Sequence, residues 1–168
     1  AFLKSLIPLQ KDDLAPALVR DMLEAAERAG VGPMASVAGA IAERVGTDLL
    51  TMSRNVIVEN GGDIFLQVDR EIRIGIFAGR SPLSGRISLS IRPEKTPLGV
   101  CTSSGTVGPS LSLGRADAVT VMARSTALAD AAATSVGNLV KTPSQIELGL
   151  KRAREIPGVL GVLIIAED

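Results

Sequence analysis

The chain has 168 residues, enough for one domain with a substantial core. It is 46% hydrophobic and 21% charged, which excludes a disordered tail, and no apolar run reaches the roughly 18 residues a bilayer span requires, so no membrane partner is expected. Eighteen basic residues balance eighteen acidic ones, and three Phe are the only aromatics, so the charge and stacking surfaces of a nucleic-acid binder are missing.

Residues 1–15 show no clear periodicity. From Pro16 to Ala29, Leu18, Met22, Ala25, Ala26 and Ala29 recur at helical spacing, with Pro in the first turn and Gly30 as a stop signal. A VGPM turn leads to a second helix over about 35–45, rich in Ala and Gly and expected to end at Gly46. Strands follow at 55–59 and 63–68 around Asn60-Gly61-Gly62, then at 71–77 and 86–91 with period-two alternation. The Gly-, Pro- and Ser-containing AGRSPLSG between the last two reads as a loop. Further strands are expected at 99–103 and 117–123, helices at about 126–138 and 144–155, and a closing strand, VLGVLIIA, at 159–166. That last run is uniformly apolar and reads as buried and central. Helices, then strands, then helices and a strand give an α+β class, with a mostly antiparallel sheet packed against Ala-rich helices.

Histidine is absent, which removes Ser-His-Asp and Cys-His catalysis, His-ligated zinc and HExxH chemistry within this chain. Cys101 is the lone cysteine, so no intrachain disulfide forms and a reducing, cytoplasmic setting is expected. In an apolar strand without a His partner it reads as a buried inert thiol. AFLKSLIPLQKDDL does not read as a secretory signal, although the chain begins without Met and residues upstream are left open.

Three stretches carry candidate chemistry. Asn-Gly between apolar runs is a hairpin signal, yet two successive glycines with Asn60 and Asp63 beside them also allow a ligand close to the backbone. Thr102-Ser103-Ser104-Gly105-Thr106 is either a polar turn or a loop whose free amides and hydroxyls cradle an anion. It is neither a Walker loop nor a dinucleotide fingerprint. Asp130 and Thr134 share one face of an otherwise apolar helix, where a carboxylate and a hydroxyl suit Mg²⁺ better than zinc. Equally, Asp130 in a first turn can simply complement its own helix dipole. Arg80 and Arg115, beside Gly-rich loops, are the cations expected nearest a phosphate.

Taken together these residues resemble the ApbE-like superfamily of flavin transferases, which shows a GAIAKG-like segment, an N-x-GGD-I hairpin, a TSG loop and a late helix with A-D-x-x-x-T. The matching stretches are Gly39-Ala40-Ile41-Ala42, Asn60-Gly61-Gly62-Asp63-Ile64, Thr102-Ser103-Ser104-Gly105, and Ala129-Asp130 with Thr134. The wording looks closer still to a small cytoplasmic branch of that superfamily. The resemblance implies one ApbE-like domain over 1–168, short of an N-terminal portion of the typical member. It also implies a small-molecule ligand, FAD or another nucleotide, lined by Asn60, Gly61, Gly62, Asp63, Thr102, Ser103, Ser104, Gly105 and Thr106. Mg²⁺ would sit on Asp130, Thr134 and the main-chain carbonyl of Ala42. Against the pattern, Glu43-Arg44 stands where the transferases carry Lys-Gly, and no His-containing segment follows the TSG loop. The expectation is therefore an accessory or divergent Mg²⁺–nucleotide binder rather than a standard FAD:protein FMN transferase. An active Mg²⁺-dependent flavin or nucleotidyl transferase is the alternative. Branch members look linked to sulfur assimilation, notably homocysteine formation in some anaerobes, so an accessory role in sulfur metabolism is a second one. Self-association into a homo-oligomer through sheet edges is left open.

Overall fold

A computed structural model describes residues 2–108 and 112–167. Helix α1 (Ala17–Ala29) buries Met22, Leu23, Ala25, Ala26 and Ala29 and stops at Gly30, whose positive φ of 69° lets its amide return to the Ala26 and Glu27 carbonyls. After a 3-10 turn at Pro33–Ser36 comes α2 (Val37–Leu49). Gly46 does not end α2 as the sequence suggested; it lies inside the helix, where a Cβ would overlap the Phe65 ring. Its missing side chain serves close packing of helix on strand, not termination.

Strands β1 (Val56–Asn60), β2 (Asp63–Gln67), β5 (Leu98–Ser103), β6 (Ala118–Ala123) and β7 (Val159–Ile165) form one antiparallel sheet in the order β1-β2-β5-β6-β7. Strands β3 (Ile72–Gly75) and β4 (Ser88–Ile91) make a separate antiparallel pair. Helix α3 (Thr126–Gly137) follows β6, and α4 (Ile146–Glu155) precedes β7. Period two divides the sheet cleanly. Phe65, Cys101, Val119 and Val121 face the helices, the last three in the core with α1 and α3. Ile64, Leu66, Val100 and Met122 face the other way and pack on Ile72, Ile74 and Leu89 of the β3–β4 pair. The order of layers is thus helices, five-stranded sheet, two-stranded sheet, which is the expected α+β class.

The expectation for the last strand is corrected. VLGVLII forms β7, but at the sheet edge, paired only with β6, and Leu160 stays 56% exposed. A uniformly apolar run signals two covered faces, not two hydrogen-bonded neighbours, and sequence alone does not separate these. Among the described residues no helix is long and apolar enough to cross a membrane.

Candidate functional site

The Asn-Gly-Gly signal forms the hairpin it promised. Asn60 pairs with Asp63 across Gly61-Gly62, whose φ values of 67° and 102° need glycine, and the Gly62 amide donates to the Glu59 carboxylate at 2.6 Å. Register then lays Asn60, Asp63 and Cys101 in one row across β1, β2 and β5, on the helix face. Thr102 falls on the opposite face, its hydroxyl 2.9 Å from that of Thr120.

The helix-side group is built around the N-terminus of α2. Asp130, from α3, accepts the Gly39 amide at 2.9 Å and also bonds the Ala38 amide. Asn60 donates its side-chain amide to the Ala38 carbonyl at 3.2 Å. A Cβ on Gly39 would lie 2.5 Å from the Thr126 carbonyl and 2.8 Å from Asp130 Cβ, so only glycine lets α2 approach α3 this closely. Asp130 does complement a helix terminus, but that of α2 and not its own. The converse contact comes from Glu43 on α2, whose carboxylate accepts from the Ser125 hydroxyl (3.0 Å) and the Thr126 and Ala127 amides (2.7 and 3.1 Å). Each helix therefore supplies the anion that caps the other. Glu43 is the residue that departs from the transferase Lys, and this geometry gives it a purpose.

Helix α3 is buried along every side except one. From Thr126 to Gly137, only Asp130 and Thr134 reach solvent, and Asn138 extends the same stripe. Beside it, burial pushes the Asp63 carboxyl up to about 6, partly offset by bonds from the Cys101 thiol and the Thr102 amide. Burial, then the neighbouring Asp63 charge, raises Asp130 well above the usual carboxylate range, against the pull of the Gly39 and Ala38 amides. None of the ion pairs among the described residues includes either carboxylate. Cys101 is fully buried with its sulfur 3.4 Å from the Thr126 carbonyl, and burial holds its thiol protonated. Thr126 Oγ1 is buried without a partner.

The donor set fits a hard divalent cation. The half-buried Asp130 carboxylate and Thr134 hydroxyl on one face of α3, with the buried Asp63 carboxylate of β2 near Asp130 and no counter-charge on either acid, are oxygen ligands of the kind Mg²⁺ takes. Among the described residues no three His, Cys, Asp or Glu side chains converge as a metal cluster, so hydroxyl, carbonyl, ligand or water oxygens would complete the shell. Ala42 lies in the middle of α2, packed with Val56 and Phe65, one turn beyond the Gly39 amide that Asp130 holds.

On the other face a cleft of about 290 Å³ opens between the hairpin and the Thr102–Gly108 loop. Gly61, Gly62, Thr102, Ser103 and Ser104 line it, while Gly105 and Thr106 do not. Ser103 also approaches α3, with its Oγ 3.6 Å from where a Gly137 Cβ would stand. The free amides expected of this loop are largely taken. Gly105 N–H donates to the Ala116 carbonyl at 2.8 Å, and the Thr106 and Val107 amides donate to Ser104 Oγ at 3.1 and 2.9 Å. Arg80 and Arg115 are exposed and line neither the cleft nor the carboxylates. What sequence reasoning missed is the apolar wall, Ile74 to Phe77, brought over the cleft by the β3–β4 pair.

The chain matches the family model described as AbpE bacteria over residues 1–157 and belongs to that family. It is 46% identical over 172 residues to a UPF0280 protein of Methanocaldococcus jannaschii, covering 99% of this chain and 70% of that one. A UPF0280 protein of Methanococcus vannielii is 45% identical over 172 residues, with the same coverage of 99% and 70%. Among solved structures, the ApbE protein of Thermotoga maritima superposes with a TM-score of 0.59 at 18% identity over 80% of this chain and 48% of its own. The flavinyl transferase ApbE of Pseudomonas stutzeri, in its apo form, gives 0.57 at 20% identity over 83% and 46%. These likenesses show the fold, and the chain spans about half the length of those two proteins.

Proposed function

We propose that this chain binds a flavin or other nucleotide together with Mg²⁺, as an accessory or divergent member of the family rather than a standard FAD:protein FMN transferase. The observation that carries the reading is the single accessible stripe of α3. Along a helix buried on all other sides only Asp130 and Thr134 are half-buried, and Asp130 meets a second uncompensated carboxylate, Asp63. Keeping two like charges there is costly unless a cation shares them. Asp130, Thr134 and the Ala42 carbonyl are the proposed ligands, and the charge of Asp63 acting on Asp130 supports proposing Asp63 beside them. When bound, Mg²⁺ would neutralise the phosphates of the ligand and polarise them.

The residues of the chain then divide the work. Gly61 and Gly62 leave the backbone bare for close approach, and Thr102, Ser103 and Ser104 offer hydroxyls beside them. Asn60 fixes the hairpin against α2, and Asp63 ties it to β5 through the Thr102 amide and the Cys101 thiol. Gly105 and Thr106 shape the loop. Glu43, occupied as the cap of α3, is not available for the part the transferase Lys would play, which supports binding over standard transfer. The lone buried Cys101 fits the cytoplasmic setting proposed with it.

Calorimetric titration with FAD, FMN and ADP, with and without Mg²⁺, tests this reading. Saturable binding that needs Mg²⁺ and weakens at least tenfold in Asp130→Asn is expected, because Asn keeps an acceptor for the Gly39 amide while removing the charge. Equal affinity with and without the metal, or in the variant, contradicts it. Release of AMP from FAD in the same samples would revive the transferase alternative.

A further inference from the structure

The two halves of the site differ in chemistry. The carboxylate half lies on the helix face of the sheet, whereas the 290 Å³ cleft lies on the face of the β3–β4 pair. Among the described residues lining that cleft Glu59 is the one charged side chain, and it is acidic. The loop amides that would hold an anion are bonded to Ala116 and Ser104. An anion placed there meets a carboxylate and no cation, which is repulsive.

The cleft wall is instead apolar: Ile64, Ile74, Ile76, Val100 and Val107, with Phe77 at the rim. The chain has three Phe and no Trp or Tyr. Phe65 is buried against α2, but Phe77 is 65% exposed, its ring left uncovered beside the cleft. Thr102, on the same face of β5 as Val100, and Ser104 add hydroxyls that can bond the edge of a ring.

We infer that this cleft receives the flat, uncharged ring of the ligand, stacked against Phe77, and that the phosphates stay outside it, across the Gly61-Gly62 turn with Asp63 and Asp130. The inference rests on the nucleotide reading above and names which part of the ligand each half recognises. Stacking needs a π-face and no charge, so the cleft accepts an isoalloxazine or a purine on the same terms.

The test titrates the full chain with three probes: riboflavin and adenosine, which carry rings without phosphate, and inorganic pyrophosphate with Mg²⁺. Each is measured on wild type, Phe77→Ala, Phe77→Trp and Asp130→Asn. The ring probe that fits binds without metal, weakens about tenfold in Phe77→Ala, persists in Phe77→Trp and is unchanged in Asp130→Asn. Pyrophosphate shows the converse pattern, and the stronger of the two ring probes tells the flavin from the adenine source. Failure of both rings to bind, or ring binding indifferent to Phe77→Ala, overturns the inference even if pyrophosphate still binds with Mg²⁺. Loss of the pyrophosphate arm alone overturns the metal reading and leaves the ring cleft standing.

Discussion

Replacing Asp63 by Asn should stabilise the metal-free protein, and the size of the gain should follow pH. Burial moves this carboxyl from 3.8 to about 6 in the folded state. The folded protein thus holds the proton more tightly than the unfolded chain, which favours folding below about pH 4. That advantage disappears as pH rises through about 6, where the buried group must ionise. The gap between 3.8 and about 6 corresponds to about 3 kcal/mol, at roughly 1.4 kcal/mol per pH unit. Asn keeps the size and an acceptor for the Thr102 amide but never ionises. For a domain of this size about 3 kcal/mol is worth roughly 6–12 °C in melting temperature. Thermal melts of both proteins in EDTA should therefore coincide near pH 4, with the variant melting several degrees higher at pH 8. Adding Mg²⁺ at pH 8 should raise wild type more than the variant, narrowing the gap. A variant less stable than wild type at both pH values, or a gap that ignores pH, would refute the placement of an uncompensated carboxylate at this point.

Three further outcomes test the packing. Glu43→Ala removes the acceptor of two α3 amides and should cost about 1–2 kcal/mol in chemical denaturation, with Glu43→Lys costing more because it puts a cation against the positive end of the dipole. Gly46→Ala should destabilise by about 1–3 kcal/mol despite the better helix propensity of Ala, since the new methyl runs into the Phe65 ring; a more stable variant would disprove that contact. Cys101 should resist thiol reagents in the native protein and react once denaturant is added, because it is fully buried and its thiol is held protonated.

Local signals were legible and long-range ones were not. The Asn60–Asp63 hairpin follows from the residues that tolerate positive φ, and the half-buried polar stripe of α3 follows from the i, i+4 spacing of Asp130 and Thr134 in an apolar helix. Both are set by neighbours in sequence. The edge position of β7 is decided by partners about 40 residues away, and its composition carries no record of which side stays unpaired. The bonded amides at Gly105–Val107 reflect an Ala116 carbonyl and the Ser104 rotamer, neither visible in a run of small residues. The same holds for Phe77, which reads as the end of a strand until β3 and β4 fold back over the sheet. Glu43 looked like a departure from a motif, and only the contact with α3 reveals it as a cap.

Asp130 and Thr134, beside Asp63, are proposed to hold a divalent cation together with the phosphates of a nucleotide. The most direct measurement is a crystal structure with ADP and Mn²⁺, using the anomalous signal of the metal. One peak is expected within coordination distance of the Asp130 carboxylate and the Thr134 hydroxyl, next to the ligand phosphates. A peak elsewhere, or ordered ADP with no metal at Asp130, would contradict it.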